Sequence, residues 1–158
     1  MLIADIKKLI AYLNHEQQPI KSEDKILIVP KNSAGTAAAE ISSPQTGVAI
    51  LKYHHRLLKG DLSEKRKLLH TIANEYEGIL KSKPCEPKAI FDNANALLNN
   101  LYIRHGNKDN KNNIAKFSDD ELENWYDELY QILLLCVLLN DNSVRMKKVD
   151  KLLKSLQR

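Results

Sequence analysis

Apolar side chains recur every three or four residues through most of the chain after Pro44. This spacing places them on one face of an α-helix, so each stretch predicts an amphipathic helix. Gly60, the pair Pro84 and Pro87, and Gly106 separate the stretches. Amphipathic helices joined by short links are typical of a helical bundle. The sequence therefore predicts an all-α fold, a helical bundle of about five helices.

Two segments have the form of a capping box, in which side chains satisfy free backbone N–H groups at a helix start. They are Asp61-Leu62-Ser63-Glu64 and Ser118-Asp119-Asp120-Glu121. The helix that begins after Ser118 is predicted to run to about Leu139. A turn is predicted at 140–143, before a final basic helix, and the polar segment 106–113 is predicted to be a loop.

The first 44 residues lack this steady helical pattern. They begin with a short amphipathic helix, which precedes the β-branched segment Lys25–Pro30 and the Ser-, Ala- and Gly-rich segment Asn32–Pro44. The β-branched segment predicts a lone strand or an extended stretch. The segment Asn32–Pro44 predicts a linker with one helical turn at Thr36 to Glu40. We therefore divide the chain into an N-terminal extension, residues 1–44, and a helical bundle domain, residues 45–158.

Composition favours an ordinary globular protein of the cytoplasm. The 158 residues are 43% hydrophobic and 28% charged, which suits one domain with a hydrophobic core. Cys85 and Cys136 do not form a disulfide pattern, so free thiols are expected. The N-terminal helix has no signal-peptide pattern, and the longest apolar run, 132–139, is too short to span a membrane.

Charge is unevenly distributed along the chain. The net charge of +4 permits nucleic-acid binding without requiring it. Residues 118–130 carry six acids and no base, whereas residues 143–158 carry six bases and one acid. This asymmetry indicates either internal ion pairs or a surface that binds a partner.

Known catalytic motifs are absent from the sequence. It contains no glycine-rich phosphate loop, no paired CxxC, no HExxH helix and no GxSxG elbow, so no metal and no cofactor is predicted. His54 and His55 are adjacent on a predicted helix and cannot easily share a metal. We interpret His55, which lies on or near the apolar stripe, and His70 as structural.

The segment from Asn99 to Asn107 is the strongest candidate for chemistry. Arg104 can contact a phosphate with two parallel hydrogen bonds, and His105 can transfer a proton near neutral pH. They are the predicted catalytic residues. The side chains predicted to bind RNA around them are Asn100, Asn107, Lys108 and Lys111. The alternative is a polar network that caps the end of a helix, where cations are favourable in any case.

The run Ala-Leu-Leu-Asn-Asn-Leu-Tyr-Ile-Arg-His-Gly-Asn at 96–107, followed by Trp-Tyr-Asp-Glu-Leu-Tyr at 125–130, resembles a known family. It is similar to the HEPN-like C-terminal domains of abortive-infection proteins, which act in phage defence. The resemblance covers roughly residues 45–140. It implies a helical bundle that forms a homodimer, and in many members a metal-independent endoribonuclease.

The resemblance also assigns residues. Arg104 matches the family's arginine, and His105 falls at the polar position directly after it. The family's histidine would fall near Asp109, Asn110 or Lys111, and none of these is histidine. The resemblance therefore implies that His105 takes the proton-transfer role, or that this chain is a binding or regulatory version of the fold.

Two hypotheses about function follow. The first is an RNA-directed HEPN-like protein of a phage-defence or toxin–antitoxin system, whose partners would be RNA and an antitoxin or other defence protein. The second is a non-catalytic helical module for protein–protein interaction. In that case, the apolar half of the 119–139 helix or the basic 143–158 segment would bind a partner chain.

Overall fold

The computed structural model describes residues 2–20, 24–104 and 108–157, which form eight α-helices and one two-stranded sheet. The helices are α1 (Leu2–Tyr12), α2 (Ser33–Glu40), α3 (Pro44–Lys52), α4 (Leu62–Glu75), α5 (Glu77–Ser82), α6 (Lys88–Asn100), α7 (Lys108–Ile114) and α8 (Asp119–Leu156). The strands are β1 (His15–Ile20) and β2 (Lys25–Pro30). In this part of the chain, no helix has both the length and the hydropathy that crossing a membrane requires.

The predicted helical character is confirmed, but the fold is not strictly all-α because an antiparallel hairpin precedes α2. The helix count also differs, since the described residues form eight α-helices where about five are predicted. His15 pairs with Pro30 at one end of the hairpin, and Ile20 pairs with Lys25 at the other. The extended character predicted for β2 is confirmed. Its partner β1 is polar in sequence, so periodicity could not reveal it. Ile20 and Val29 are buried, and β2 packs against α3.

The predicted linker between the hairpin and α3 instead contains helix α2. The Asn32 side chain caps this helix by accepting a hydrogen bond from the Gly35 N–H at 3.0 Å. Helix α2 packs against α3 and α8, and Ala38 is fully buried in the core. A Cβ at Gly47 would lie 2.9 Å from the Ala39 carbonyl oxygen, so the close approach of α2 and α3 requires a glycine there. The predicted division between residues 44 and 45 stays a prediction.

The helices after Pro44 are divided differently from the prediction. Helix α3 ends at Lys52 and a 3₁₀ turn, Arg56–Leu58, precedes Gly60, which has the expected positive φ of 80°. The stretch between Gly60 and Pro84 predicts one continuous helix, but the structure has two helices there, α4 and α5, which are separated at Tyr76. The Tyr76 hydroxyl forms a hydrogen bond with the Ser42 side chain. The predicted loop at 106–113 contains α7 in its described part.

The capping box predicted at Ser118 is confirmed, and it opens a single helix of 38 residues. The turn predicted at 140–143 is wrong, because α8 continues through it. Asn, Asp and Ser each cost a helix less than 1 kcal/mol, and the segment contains neither glycine nor proline. An ion pair between Asp141 and Arg145, one turn apart with Nε to Oδ2 at 2.6 Å, also supports the helix there.

The core forms where α2, α3, α4 and α6 pack around the first half of α8. Tyr53 and Tyr130 stack in parallel at its centre, with their ring centroids 4.2 Å apart. The Tyr130 hydroxyl donates a hydrogen bond of 2.9 Å to the Ile50 carbonyl oxygen. This contact satisfies a buried polar group and fixes α3 against α8.

One buried cation connects α4 to α8. The Lys65 side chain is only 5% exposed, and its Nζ lies 2.7 Å from Glu123 Oε1 and 2.8 Å from Asp127 Oδ1. The Tyr53 hydroxyl also donates to Asp127, at 3.0 Å. Glu123 in turn accepts a hydrogen bond from the Gly60 N–H at 2.9 Å. These contacts connect α3, α4 and α8 through one ionic cluster, which we call the Lys65 cluster.

The Lys65 cluster changes the acidity of its members. Burial opposes the ionisation of Glu123, but hydrogen bonds from Gly60 and Lys65 and the charge of Lys65 outweigh it, so the pKa of Glu123 is lowered. Burial, followed by the charge and hydrogen bond of Asp127, raises the pKa of Tyr53. At neutral pH Glu123 is therefore a carboxylate and Tyr53 a neutral phenol.

Replacing Lys65 by Met keeps the side-chain volume but leaves two carboxylates without their shared cation. Removing one member of a buried ion pair costs about 3–5 kcal/mol. We expect a loss near the lower end, about 3 kcal/mol, because the Asp127 side chain is 38% exposed. Urea unfolding followed by circular dichroism measures this loss. The control is Lys67→Met, which removes an exposed pair with Glu64 and should leave stability nearly unchanged. An equal loss of unfolding free energy in both variants would contradict the stabilising role assigned to Lys65.

The cluster also predicts a pH dependence. Because the fold lowers the pKa of Glu123, its contribution to stability is complete above the ordinary glutamate pKa of 4.5 and is lost as the pH falls through the lower folded value. We expect Glu123→Gln to be less stable than wild type at pH 7, with the difference shrinking as the pH falls below 4.5. Chemical unfolding across this range tests it. Glu128→Gln, on an exposed site of α8, should follow the wild type throughout.

Candidate nucleic-acid interface

Helix α6 ends in a turn that positions Arg104. The Ile103 N–H donates to the Leu98 carbonyl oxygen at 3.0 Å, and the Tyr102 N–H donates to that of Asn99 at 3.3 Å. This pair of hydrogen bonds defines a Schellman motif, whose residue after the cap is left-handed. Here that residue is Tyr102, with φ of 60°. The turn buries Ile103 against the core and directs the chain towards α4.

A left-handed tyrosine is strained, at a cost of about 1–3 kcal/mol. Contacts with Arg66 on α4 offset this strain. The Arg66 Nε donates to the Tyr102 carbonyl oxygen at 2.5 Å, and its guanidinium lies 4.0 Å from the centre of the Tyr102 ring. Stacking of this kind contributes about 0.5–2 kcal/mol, depending on solvent exposure. Arg66 therefore fixes the turn against α4 and brings Arg104 next to that helix.

Among the described residues, one of the three nitrogens of the Arg104 guanidinium has a hydrogen-bond partner. Its Nη1 donates to Asn95 Oδ1 at 2.7 Å, and the Asn95 amide donates to the Leu80 carbonyl oxygen at 2.6 Å. Its Nε and Nη2 atoms are shielded from water and have no hydrogen-bond partner among the described residues. Burial lowers the pKa of Arg104, against the opposing charge of Glu77, but an arginine stays protonated at neutral pH.

The two free donors form one side of the guanidinium fork. Nε–H and the neighbouring Nη2–H point in the same direction, which suits two oxygens of one phosphate or carboxylate. A desolvated donor without an acceptor costs about 1–3 kcal/mol. Because water does not reach these two atoms, an anion would recover that cost only after the side chains around Arg104 move. The geometry therefore favours an anionic ligand at Arg104 over a neutral one.

Arg104 lies in the wall of a groove of about 460 Å³ between α4 and the exit of α6. We call it the Arg104 groove, and its lining residues are Ser63, Arg66, Lys67, His70, Thr71, Ile103 and Arg104. The lining residues of α4 share one helix face, because positions 63, 66–67 and 70–71 follow one another at intervals of three or four residues. Three of the lining side chains are cations, one is an imidazole, and none is an acid. Such a surface attracts a phosphate backbone.

His70 was interpreted from the sequence as structural, but it lines this groove. Its Nδ1 lies 3.1 Å from the Asn74 side-chain nitrogen, one helical turn away. When that amide donates to Nδ1, the neutral ring carries its proton on Nε2. The spacing of Arg66, Lys67 and His70 on one helix face was a signal that sequence reasoning missed. Only the fold shows that this face lies beside Arg104.

Three of the six predicted site residues have described side chains, and among these three Arg104 alone lines the groove. Arg104 lines the groove, whereas His105 and Asn107 lie outside the described residues. The Lys108 backbone begins α7, but its side chain lies outside the described part of the chain. Asn100 is exposed, and its amide donates to the Ala96 carbonyl oxygen in its own helix at 2.8 Å. Lys111 is exposed on α7 and does not line the groove. The roles of these residues stay predictions.

A second polar pocket, of about 290 Å³, lies over the Lys65 cluster. It includes His54, whose pKa burial lowers and whose ring contacts Tyr53 and Tyr130 edge-on. Its buried charges are paired with one another, in contrast to the free guanidinium side of Arg104. We therefore assign this pocket to stability rather than to ligand binding.

Comparison with known proteins identifies no relative. The chain matches no family model, and neither a characterised protein nor a solved structure proves to be similar to it. The function proposed for it is therefore based on the Arg104 groove, the helical bundle and the motif at residues 96–107.

Proposed function

We propose that this protein binds RNA, and that the Arg104 groove holds the phosphate backbone. The observation that carries the proposal is the guanidinium side of Arg104, which has two parallel donors and no acceptor among the described residues. Arg66, Lys67 and His70 line the same groove and supply further positive charge or hydrogen bonds. Contacts of this kind bind the backbone of any sequence. Base specificity would have to come from other residues.

We also propose that the protein is a HEPN-like member of a phage-defence or toxin–antitoxin system and acts in the cytoplasm as a homodimer. Its partners would be RNA and an antitoxin or other defence protein. Two features support this proposal: the helical bundle, and the place of Arg104 directly after a bundle helix, at the start of the link to α7. The proposal also depends on the resemblance of residues 96–107 to the family's motif.

Cleavage would follow from the same groove without a metal ion. The 2′-hydroxyl oxygen attacks the phosphorus, and the bond from phosphorus to the 5′-oxygen breaks. A base takes the 2′-hydroxyl proton, and an acid gives a proton to the 5′-oxygen. Arg104 would stabilise the charge on the phosphate. We propose His105 for proton transfer and His70 as the second candidate, because His70 lines the groove.

The alternative, a non-catalytic interaction module, has one observation in its favour. The last third of α8 carries Val144, Met146, Val149, Leu152, Leu153 and Leu156 in exposed positions. A module of this kind would use that surface and leave the Arg104 groove without a role in binding. The two proposals therefore differ in which surface binds the ligand, and separate variants can test them.

The binding proposal predicts that charge removal in the groove weakens RNA binding and reduces its salt dependence. For single-stranded nucleic acid, each phosphate contact adds about 0.7 to the slope of log affinity against log salt. We expect Lys67→Gln and Arg104→Gln each to lower affinity several-fold and the slope by about 0.7. Fluorescence anisotropy with a labelled single-stranded RNA at several salt concentrations measures both.

The matched controls are Lys148→Gln and Lys151→Gln, which remove the same charge from exposed positions of α8. Both should bind RNA as the wild type does, because neither lysine lines the groove. If groove and control variants lose affinity equally, binding depends on net charge alone and the groove is not the site.

The cleavage proposal predicts that Arg104→Ala and His105→Ala each abolish RNA cleavage or cell toxicity in the presence of a metal chelator, with unchanged circular dichroism. His70→Asn tests the second histidine, because the amide keeps a hydrogen-bonding group but cannot transfer a proton near neutral pH. The readout is the appearance of 2′,3′-cyclic phosphate ends on a defined RNA. Unchanged cleavage in both the Arg104 and the His105 variant would reject the proposed mechanism.

A further inference from the structure

Helix α8 continues well beyond its last buried residue, Val137. Its 38 residues span about 57 Å at 1.5 Å per residue. Its buried residues all precede Leu138, and every residue from 144 to 157 is exposed. We call residues 144–157 the α8 stalk. Most helical stability in proteins comes from packing of an apolar face, so a partner on the apolar positions of the stalk would stabilise it.

Most of the exposed apolar residues in the second half of α8 fit a coiled-coil repeat, whereas Val144 and Leu152 fall outside it. The positions Leu139, Asn142, Met146, Val149, Leu153 and Leu156 are separated by three, four, three, four and three residues. Leu135, which is also exposed, lies four residues earlier and extends the repeat to three heptads. This is the alternation of a and d positions that buries one seam between two helices. The four lysines of the stalk fall at b, c and f positions, away from the seam.

We propose that α8 forms a parallel two-stranded coiled coil with a second copy of this chain, with residues 135–156 as the seam. Charge complementarity selects the second copy. In a parallel pair, Arg145 at a g position lies opposite Asp150 of the other chain at the following e position. The symmetry of the pair repeats this contact on the other side. The Asp141 carboxylate, one turn earlier in the same chain, already orients Arg145.

The single polar residue of the seam selects the parallel orientation. In a parallel pair in register, each d position faces itself, so the two Asn142 amides can hydrogen-bond to each other. Antiparallel alignments place Asn142 opposite Leu153 or Met146 of the second chain, where its amide would be buried without a partner. An antiparallel pair also removes the contact between Arg145 and Asp150.

Two valines of the stalk provide a matched test. Val149 is at a seam position and is 42% exposed, and Val144 is at an outer f position and is 44% exposed. We expect light scattering after size exclusion to give the full chain twice the mass of one copy, 18.0 kDa. Val149→Asp should shift the mass to one copy, because a carboxylate cannot be buried in the seam. Val144→Asp should leave the mass unchanged.

Cysteine pairing tests the orientation. Under mild oxidation, Val149→Cys should form a covalent dimer, because each d position faces itself in a parallel pair, and Val144→Cys should not. The proposal is overturned by a wild-type mass of 18.0 kDa at all concentrations, by a Val149→Asp variant that remains a dimer, or by equal cross-linking at 144 and 149. Crosslinks between Met146→Cys and Val149→Cys chains, without Val149→Cys homodimers, would show the antiparallel arrangement.

Discussion

The buried ammonium of Lys65 is the contact on which the arrangement of the helices depends. It lies between two carboxylates of α8, so it sets both the distance and the rotation of α4 relative to that helix. Adjacent residues on a helix point about 100° apart. With Lys65 directed towards α8, Arg66 and Lys67 are turned away from the core and towards the exit of α6. The internal ion pairs therefore position the cations of the Arg104 groove.

Lys65 and Arg104 are both at least partly buried, but they differ in how many of their donors have a partner. Lys65 has a carboxylate on each side, and burial of charge is tolerated there because the charge is paired. Arg104 has one neutral partner, Asn95, and two donors without an acceptor among the described residues. The first arrangement stabilises the fold. The second leaves two buried donors without an acceptor among the described residues, and the proposed RNA binding depends on this difference.

Periodicity in the sequence predicted the features that depend on local chemistry. The capping box at Ser118, the left-handed Gly60 and the helical character of the chain after residue 44 all follow from neighbouring residues. The missed features depend on distant contacts. Strand β1 is polar and is defined by its pairing with β2, and the alanines of α2 form a helix against α3 and α8. The predicted turn at 140–143 failed for another reason, since weak helix formers inside a long helix lower its stability without ending it.

The same distinction applies to the site. Arg104 was predicted because it lies in a motif of adjacent residues, whereas the α4 side of the groove depends on how α4 packs against the turn at Tyr102. A sequence shows that Arg66, Lys67 and His70 share a helix face, but it does not show what that face meets. The α8 seam is the opposite case, because its heptad spacing is local and is visible in the sequence. Its importance depends on the structure, which shows that no described residue covers the stalk. The groove and the seam share no residue, so variants can test the proposed RNA binding and the proposed self-association separately.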